Sequence, residues 1–336
     1  ASPGAGGVAY VNSFGWTNDT PCWVFNEGGK GGGETASHEL GHTFGLSHDG
    51  RTSPAEEYFG GHGNWAPIMG VGYYKGITQW SSGEYMNASN KQLDYNSLSN
   101  SYYGVGYRDD DHGATMLAAT VLTADASGNI SASQNYGIIG RNTDVDMFSF
   151  STGGGNVTLN FNPAARHANL DILVTLYNSS GQVLQTYNPS GMAASINTSL
   201  NEGTYYVAVD GTGQGIAALD GYSDYGSVGY FSISGSVPPP NKLPLVSLVS
   251  PGGGELFVAP ATIIINAEAS DPDGTIVKVE FFNGATKLGE DTSAPYSFSW
   301  ANVDAQSYAI SVKAIDNKGG YTTKQVNVKV DIIAAA

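Results

Sequence analysis

The residues best able to do chemistry lie together in His38-Glu39-Leu40-Gly41-His42-Thr43-Phe44-Gly45-Leu46-Ser47-His48. His38 and His42 are four apart, so a helix would project both imidazoles from one face. Gly45 follows three residues later, and glycine accepts the left-handed backbone that stops a helix and lets the chain double back. His48 then becomes available as a third nitrogen donor. Three nitrogen ligands leave one position open on a tetrahedral zinc, which distinguishes a catalytic from a structural site. Zinc at such a site makes hydroxide available near neutral pH and polarises a carbonyl. Glu39, beside the first histidine, would act as general base on the water and hand its proton to a leaving amine. A helix that happens to carry two histidines would explain the first five residues alone. It does not explain the glycine and third histidine that follow at fixed spacing.

The elements that must position these groups can be read coarsely. Helical spacing occurs around Glu34–Phe44 and again around Lys91–Leu98. From about residue 116 to 236 the chain alternates apolar and polar residues in short runs: Met147–Phe150, Val157–Phe161, Ile172–Tyr177 and Tyr205–Val209. Turn residues such as Asn178-Ser179-Ser180-Gly181 separate them, as in a β-sandwich. Pro238-Pro239-Pro240 predicts a stiff linker. Beyond it, Ile276–Phe282 and Tyr308–Ala314 alternate again and predict a second, smaller sandwich. The expected organisation is three domains: a chemistry-bearing α+β part over 1–112, an all-β sandwich over 113–237, and a linker with a second all-β sandwich over 238–336.

Composition agrees with extracellular β-rich modules. The 336 residues include 46 glycines and 20 tyrosines, and only 13% are charged, about half the globular norm. The net charge of -16 repels nucleic acid and anionic membranes and argues against both as partners. No apolar run approaches the length of a membrane span. Ala1-Ser2-Pro3-Gly4 lacks a signal-peptide pattern, so a processed or trimmed form is expected. Ala334-Ala335-Ala336 is set aside from the fold reading. The single cysteine, Cys22, excludes an internal disulfide and reads as a small core hydrophobe or as a thiol pairing outside this chain.

The full pattern HExxHxxGxxH is the metzincin signature, and the chain resembles that family of zinc metalloproteases. Asp49 after the third histidine is similar to the adamalysin (reprolysin) branch, as is Gly7-Val8-Ala9-Tyr10-Val11 upstream. The resemblance implies that His38, His42 and His48 hold zinc and that Glu39 is the catalytic base. It implies that Gly45 makes the turn and that Val8, Ala9 and Tyr10 form an edge strand antiparallel to a bound peptide. Pro67-Ile68-Met69-Gly70 fits the family's methionine turn, with Met69 beneath the metal. The stretch Gly70–Trp80 would wall the specificity pocket, so Tyr73 and Tyr74 become substrate-contact candidates; packing is the alternative for them and for Trp80. Astacin-like and serralysin-like members place a tyrosine ligand two residues after the methionine. Here that residue is Val71, so no such ligand is assigned. His62, in a glycine-rich run, reads as a surface-loop residue, and His112 and His167 as structural.

Residues 116–236 resemble a bacterial pre-peptidase C-terminal domain, carried by Thr143–Phe150, Asn169-Leu170-Asp171 and Gly203–Gly211. Residues 243–331 resemble a bacterial immunoglobulin-like domain, carried by Ala269–Gly274, where Asp271-Pro272-Asp273-Gly274 is first a turn signal. Acidic residues cluster near turns of the middle domain: Asp144, Asp146, Asp171, Asp210, Asp220 and Asp224. They are candidate calcium ligands, since calcium takes six to eight oxygens; solvated acidic turns are the alternative. A metzincin domain has a sheet and helices ahead of its edge strand, which here begins at Gly7. A missing N-terminal segment of the same domain is therefore an expected partner. The function read from all this is a secreted zinc endopeptidase acting on extracellular protein or peptide substrates. The competing reading is a non-catalytic adhesion or matrix-binding protein with a degenerate metzincin part, and intact Glu39 argues against it.

Overall fold

The computed structural model describes residues 5–332. The start at Ala1-Ser2-Pro3-Gly4 and the terminal alanines 334–336 lie outside the described residues. The chain divides into two units, one up to Pro239 and one from Pro240, and the break falls inside the proline run. It is mostly β-structure.

In the first unit, the long helix α1 spans Gly29–Thr43. Its first turns contain Gly29, Gly31, Gly32 and Gly33, and each interior glycine costs about 1 kcal/mol of helix propensity. Packing, not propensity, must therefore hold it. It buries Thr35, Glu39, Gly41, His42 and Thr43. The helix stops through Gly45, whose φ is 84°. Gly45 N donates to His42 O at 2.9 Å and Leu46 N to Gly41 O at 3.0 Å, the paired closing bonds of a glycine-terminated helix. A shorter helix, α2 (Asp94–Leu98), follows.

Around α1 the strands are short. Gly7–Val8 pairs antiparallel with Trp23–Val24, Arg51–Thr52 with Ala55–Glu56, and Trp65–Pro67 runs parallel to Ile77–Gln79. The edge strand expected over Gly7–Val11 thus covers only its first two residues. Cys22 is half-buried and borders a groove with Trp16 and Leu40. It is not in the core.

The runs read as strands form two facing five-stranded sheets. One orders Val183–Tyr187, Ile172–Asn178, Gly203–Gly211, Val145–Thr152 and Thr120–Val121. The other orders Ala194–Leu200, Gly155–Pro163, Gly229–Ser236 and Asn129–Ile130, with Tyr136–Ile139 also on Gly229–Ser236. Period-two alternation sends Val157, Leu159 and Phe161 inward, where they meet Phe148, Ile172, Val174, Val207, Phe231 and Ile233. The α1 region is fastened to this sandwich. Phe59, Trp65, Ile77 and Tyr85 share a core with Tyr222 of the sandwich. Trp65 Nε1 donates to Gln79 Oε1 at 2.8 Å, and Gln79 Nε2 donates to Asn169 O at 2.7 Å. Ser223 Oγ donates to Glu84 Oε1 at 3.0 Å. His62 is not a surface-loop residue: its Nε2 donates to Gly221 O at 2.6 Å and its ring packs on Phe59 and Trp65.

The second unit is a sandwich of a three-stranded and a five-stranded sheet. Its core holds Ile263, Ile265, Val279, Phe281, Ile310 and Val312. Asp271 Oδ1 accepts from Asp273 N at 3.3 Å, as a turn at that place requires. On its surface Lys278 and Lys287 each bridge Glu280 and Glu290 at 2.6–2.9 Å. Hydrogen bonds from Lys278 and Lys287 hold the Glu290 carboxyl at about 2, and Lys287 leads in lowering Glu280. Carboxyls lowered on folding add stability above their unfolded pKa of about 4.3, and lose it as pH falls through the folded value. Exposed pairs are individually weak, so the effect should be small but directional. Melting of the full chain should show the second unit losing less stability between pH 4.5 and 2 in the Lys278→Met/Lys287→Met variant than in the wild type. An equal acid-induced drop in both would contradict this.

Candidate metal centre

Helix α1 puts His38 and His42 one turn apart, and the Gly45 turn brings His48 back against them. One ring nitrogen from each lies within 4.8 Å of the other two. The outward nitrogens are all occupied. His38 Nδ1 meets Ile68 O at 2.8 Å, His42 Nδ1 meets Leu46 O at 2.8 Å, and His48 Nδ1 meets Glu57 Oε1 at 3.0 Å. Carbonyl and carboxylate oxygens only accept, so each Nδ1 carries a proton, and in the neutral form of a ring that leaves Nε2 bare. His42 Nε2 and His48 Nε2 are 3.0 Å apart. Burial, first of all, lowers the His38 pKa to about 4 and also lowers that of His42, which keeps those rings neutral. Converging imidazole lone pairs with anchored Nδ1–H groups are the donor set of a zinc-type cation. The residues present fit that group.

Glu39 lies on the same helix, 6% exposed, and burial raises its pKa. It opens with the three histidines into a cleft of about 580 Å³. One wall is Gly6, Gly7, Val8, Ala9 and Val11; the other is Gly70, Val71 and Tyr73. Gly7 touches the carboxylate so closely that an added Cβ would stand 2.7 Å from Glu39 Oε1 and 2.6 Å from Trp23 O. Only glycine lets the strand pass there.

Met69 is fully buried under α1. A Cβ on Gly41 would meet Met69 Sδ at 2.6 Å, so the glycine between the two helical histidines admits the methionine. The same turn holds both ends of the site: Ile68 O accepts from His38 Nδ1 at 2.8 Å, and Met69 O accepts from Asp49 N at 2.8 Å. The Asp49 carboxyl is 2% exposed. Burial and then Glu84 push it up to about 7, against a lowering hydrogen bond from Asn90.

The proposed substrate contacts separate. Val8, Ala9 and Tyr73 line the cleft; Tyr10 and Tyr74 do not. Tyr10 instead packs on Trp16 and Trp23. Tyr74 is 94% exposed. Tyr73 ties its hydroxyl to Thr35 Oγ1 at 3.0 Å. Two residues that the motif did not mark stand at the site: Glu57, on His48, and Tyr58, whose ring centroid is 4.1 Å from that of His48. Both lie in a loop without periodicity, and the acidic Glu56-Glu57 pair was the only available signal.

The acidic residues also separate. Asp144 and Asp146 converge with Asp110, their carboxylate oxygens within 4.8 Å of one another, and Asp111 approaches Asp146 similarly. Asp146 is fully buried, and neither of its oxygens has a hydrogen-bond partner among the described residues. Burial, then Asp111, Asp144 and Asp110, raises its pKa to about 8. The neighbouring His112 commits its nitrogens to Thr120 Oγ1 and Tyr136 O, both at 2.8 Å, so the available donors are hard oxygens. Asp171 instead accepts from Tyr222 OH at 2.7 Å, and Asp220 from Ile216 N at 3.1 Å. Neither they nor Asp210 and Asp224 join this cluster.

The Glu57–His48 contact yields a direct expectation. Removing a carboxylate behind a metal-bound histidine weakens binding about 10–100-fold, and Glu57 is exposed, which favours the low end. Glu57→Gln should lower zinc affinity about 10-fold in chelator competition; unchanged affinity would show that the contact does not tune His48.

Among known proteins, residues 244–312 match the family of bacterial Ig domains. Metalloprotease AprA of Pseudomonas entomophila is 26% identical over 180 residues, 52% of this chain and 35% of that protein. Chitinase ChiA of Flavobacterium johnsoniae is 24% identical over 163 residues, 47% of this chain and 10% of that protein. The chain thus spans about a third and a tenth of the length of these two relatives. Among solved structures, the fibronectin(III)-like modules of Clostridium thermocellum CbhA are 30% identical, covering 27% of this chain and 100% of that one, with a TM-score of 0.26. The pre-peptidase C-terminal domain of collagenase from Bacillus anthracis is 14% identical, covering 35% and 94%, with a TM-score of 0.25. Each likeness is confined to a part of this chain, and no helix among the described residues is long and apolar enough to cross a membrane.

Proposed function

We propose that this chain carries the catalytic core of a secreted, metzincin-type zinc endopeptidase, followed by two accessory β-sandwiches. The observation that carries the reading is the convergence of three bare imidazole nitrogens beside Glu39 in one open cleft. The partial similarity to a metalloprotease supports it. His38, His42 and His48 would hold zinc, which when bound supplies Lewis acidity to a water molecule and to the scissile carbonyl. The strand at Gly7–Val8 and the wall at Gly70–Tyr73 would align an extended peptide between them, with backbone groups as the natural contacts. A carboxylate oxygen of Glu39 would take the proton from the attacking water and pass it to the departing amine nitrogen. The adhesion-only reading has no use for a buried carboxylate in the same cleft as three converging histidines.

A second element of the reading is calcium at Asp110, Asp111, Asp144 and Asp146. A fully buried carboxylate with both oxygens unpartnered is costly without a cation, and hard oxygen donors suit calcium. A third is a cover for the apolar groups left exposed beside α1, namely Trp16, Trp23, Phe25 and Leu40. An upstream segment of the same catalytic domain is the occupant that suits a helix flanked by an open strand.

Glu39→Ala should keep a full complement of zinc by elemental analysis while peptide cleavage falls about 10²–10⁴-fold; cleavage at the wild-type rate would remove Glu39 as the base. Millimolar calcium should raise the melting temperature of the full chain, and Asp146→Asn should abolish the increase. A melting temperature that ignores calcium would count against the site.

A further inference from the structure

The cleft carries a second hydroxyl-bearing ring that the zinc motif does not specify. Tyr58 lies against two of the three histidines, its centroid 4.1 Å from that of His48 and 6.1 Å from that of His38. It lines the same cleft as Glu39 and is 42% exposed. Its mounting is firm on both sides. Glu57 before it holds His48 Nδ1 at 3.0 Å. Phe59 after it is 3% exposed, stacks on Tyr85 at 4.5 Å, and donates its N–H to Asp49 O at 2.6 Å.

Peptide hydrolysis needs more than a base and a metal. Negative charge develops on the carbonyl oxygen as water adds, and a fixed donor aimed at that oxygen stabilises the transition state more than the substrate. The side chains lining the cleft are mostly apolar or glycine; the exceptions are the three histidines, Glu39, Tyr58 and Tyr73. The histidines spend their N–H groups on Ile68, Leu46 and Glu57. Glu39 is an acceptor when it acts as base. Tyr73 shares its hydroxyl with Thr35, and Val71 has none to offer. Among the described residues, Tyr58 is the one cleft side chain whose hydroxyl makes no protein hydrogen bond.

We propose that the Tyr58 hydroxyl donates a hydrogen bond to the scissile carbonyl oxygen as that oxygen gains negative charge. The phenol keeps its proton throughout, so no bond to it forms or breaks; the oxygen simply acquires a donor that strengthens as its charge grows. This inference rests on the peptidase reading and adds a catalytic residue to it.

Tyr58→Phe in the full chain tests it, because the ring and its packing on His48 and His38 remain while the donor is lost. Zinc content and melting temperature should match the wild type. The rate constant kcat should fall about 10²–10³-fold, the usual cost of one oxyanion donor, with KM little changed. Calorimetry supplies a readout independent of turnover. A phosphinic peptide, which places anionic oxygens where the charged carbonyl oxygen would sit, should bind the variant at least tenfold more weakly, whereas a product peptide binds both alike. Equal phosphinic-peptide affinity in variant and wild type would overturn the proposal, as would loss of zinc from the variant, which would assign the hydroxyl to the metal site's integrity. Wild-type protein that holds zinc yet neither binds the phosphinic peptide nor cleaves any peptide would instead sink the peptidase reading beneath it.

Discussion

The centre depends on where three imidazoles spend their protons. Each Nδ1–H is committed to an oxygen that can only accept, two of them backbone carbonyls set by the turns at Leu46 and Ile68. The Nε2 lone pairs are therefore left to face one another, down to 3.0 Å between His42 and His48. Two unprotonated ring nitrogens at that distance would repel, and a cation between them would turn the arrangement from a cost into a gain. Much of the surrounding structure serves to hold those acceptors still. Gly45 closes α1 so that Leu46 O points back at His42. Gly41 lets Met69 sit under the helix, and the turn at Ile68-Met69 offers Ile68 O to His38 and Met69 O to Asp49.

The sandwich next to this region contributes to that rigidity. The small core of Phe59, Trp65, Ile77 and Tyr85 would be thin alone and is completed by Tyr222. Gln79 relays from Trp65 to Asn169, and Glu84 is held by Ser223. A region with one long helix and strands of two or three residues gains from such a buttress, because isolated two-stranded pairs are marginal in water. The middle sandwich is accordingly part of the scaffold that keeps the cleft walls in place.

The sequence displayed what is local. The spacing that defines α1, the glycine that ends it, and the alternation of Val157–Phe161 or Ile276–Phe282 depend on neighbours within a few residues, and the corresponding helix and strands are present. What it concealed is contact across distance. Tyr58 and Glu57 reach the histidines from a loop with no period, so no pattern singled them out. Asp110 and Asp111 meet Asp144 and Asp146 across more than thirty residues, whereas Asp171, Asp210, Asp220 and Asp224, equally acidic and equally near turns, go elsewhere. Tyr10 and Tyr74 were read from their place along the chain, and the side to which each residue turns is decided by the fold around it.

His38, His42 and His48 are proposed to hold one zinc through three imidazole nitrogens. X-ray absorption at the zinc edge, on the full chain loaded with one equivalent, tests it most directly. The expected spectrum has three nitrogen neighbours at about 2.0–2.1 Å, one of them lost in His48→Ala. A zinc shell made only of oxygens, or a spectrum that His48→Ala leaves unchanged, would contradict it.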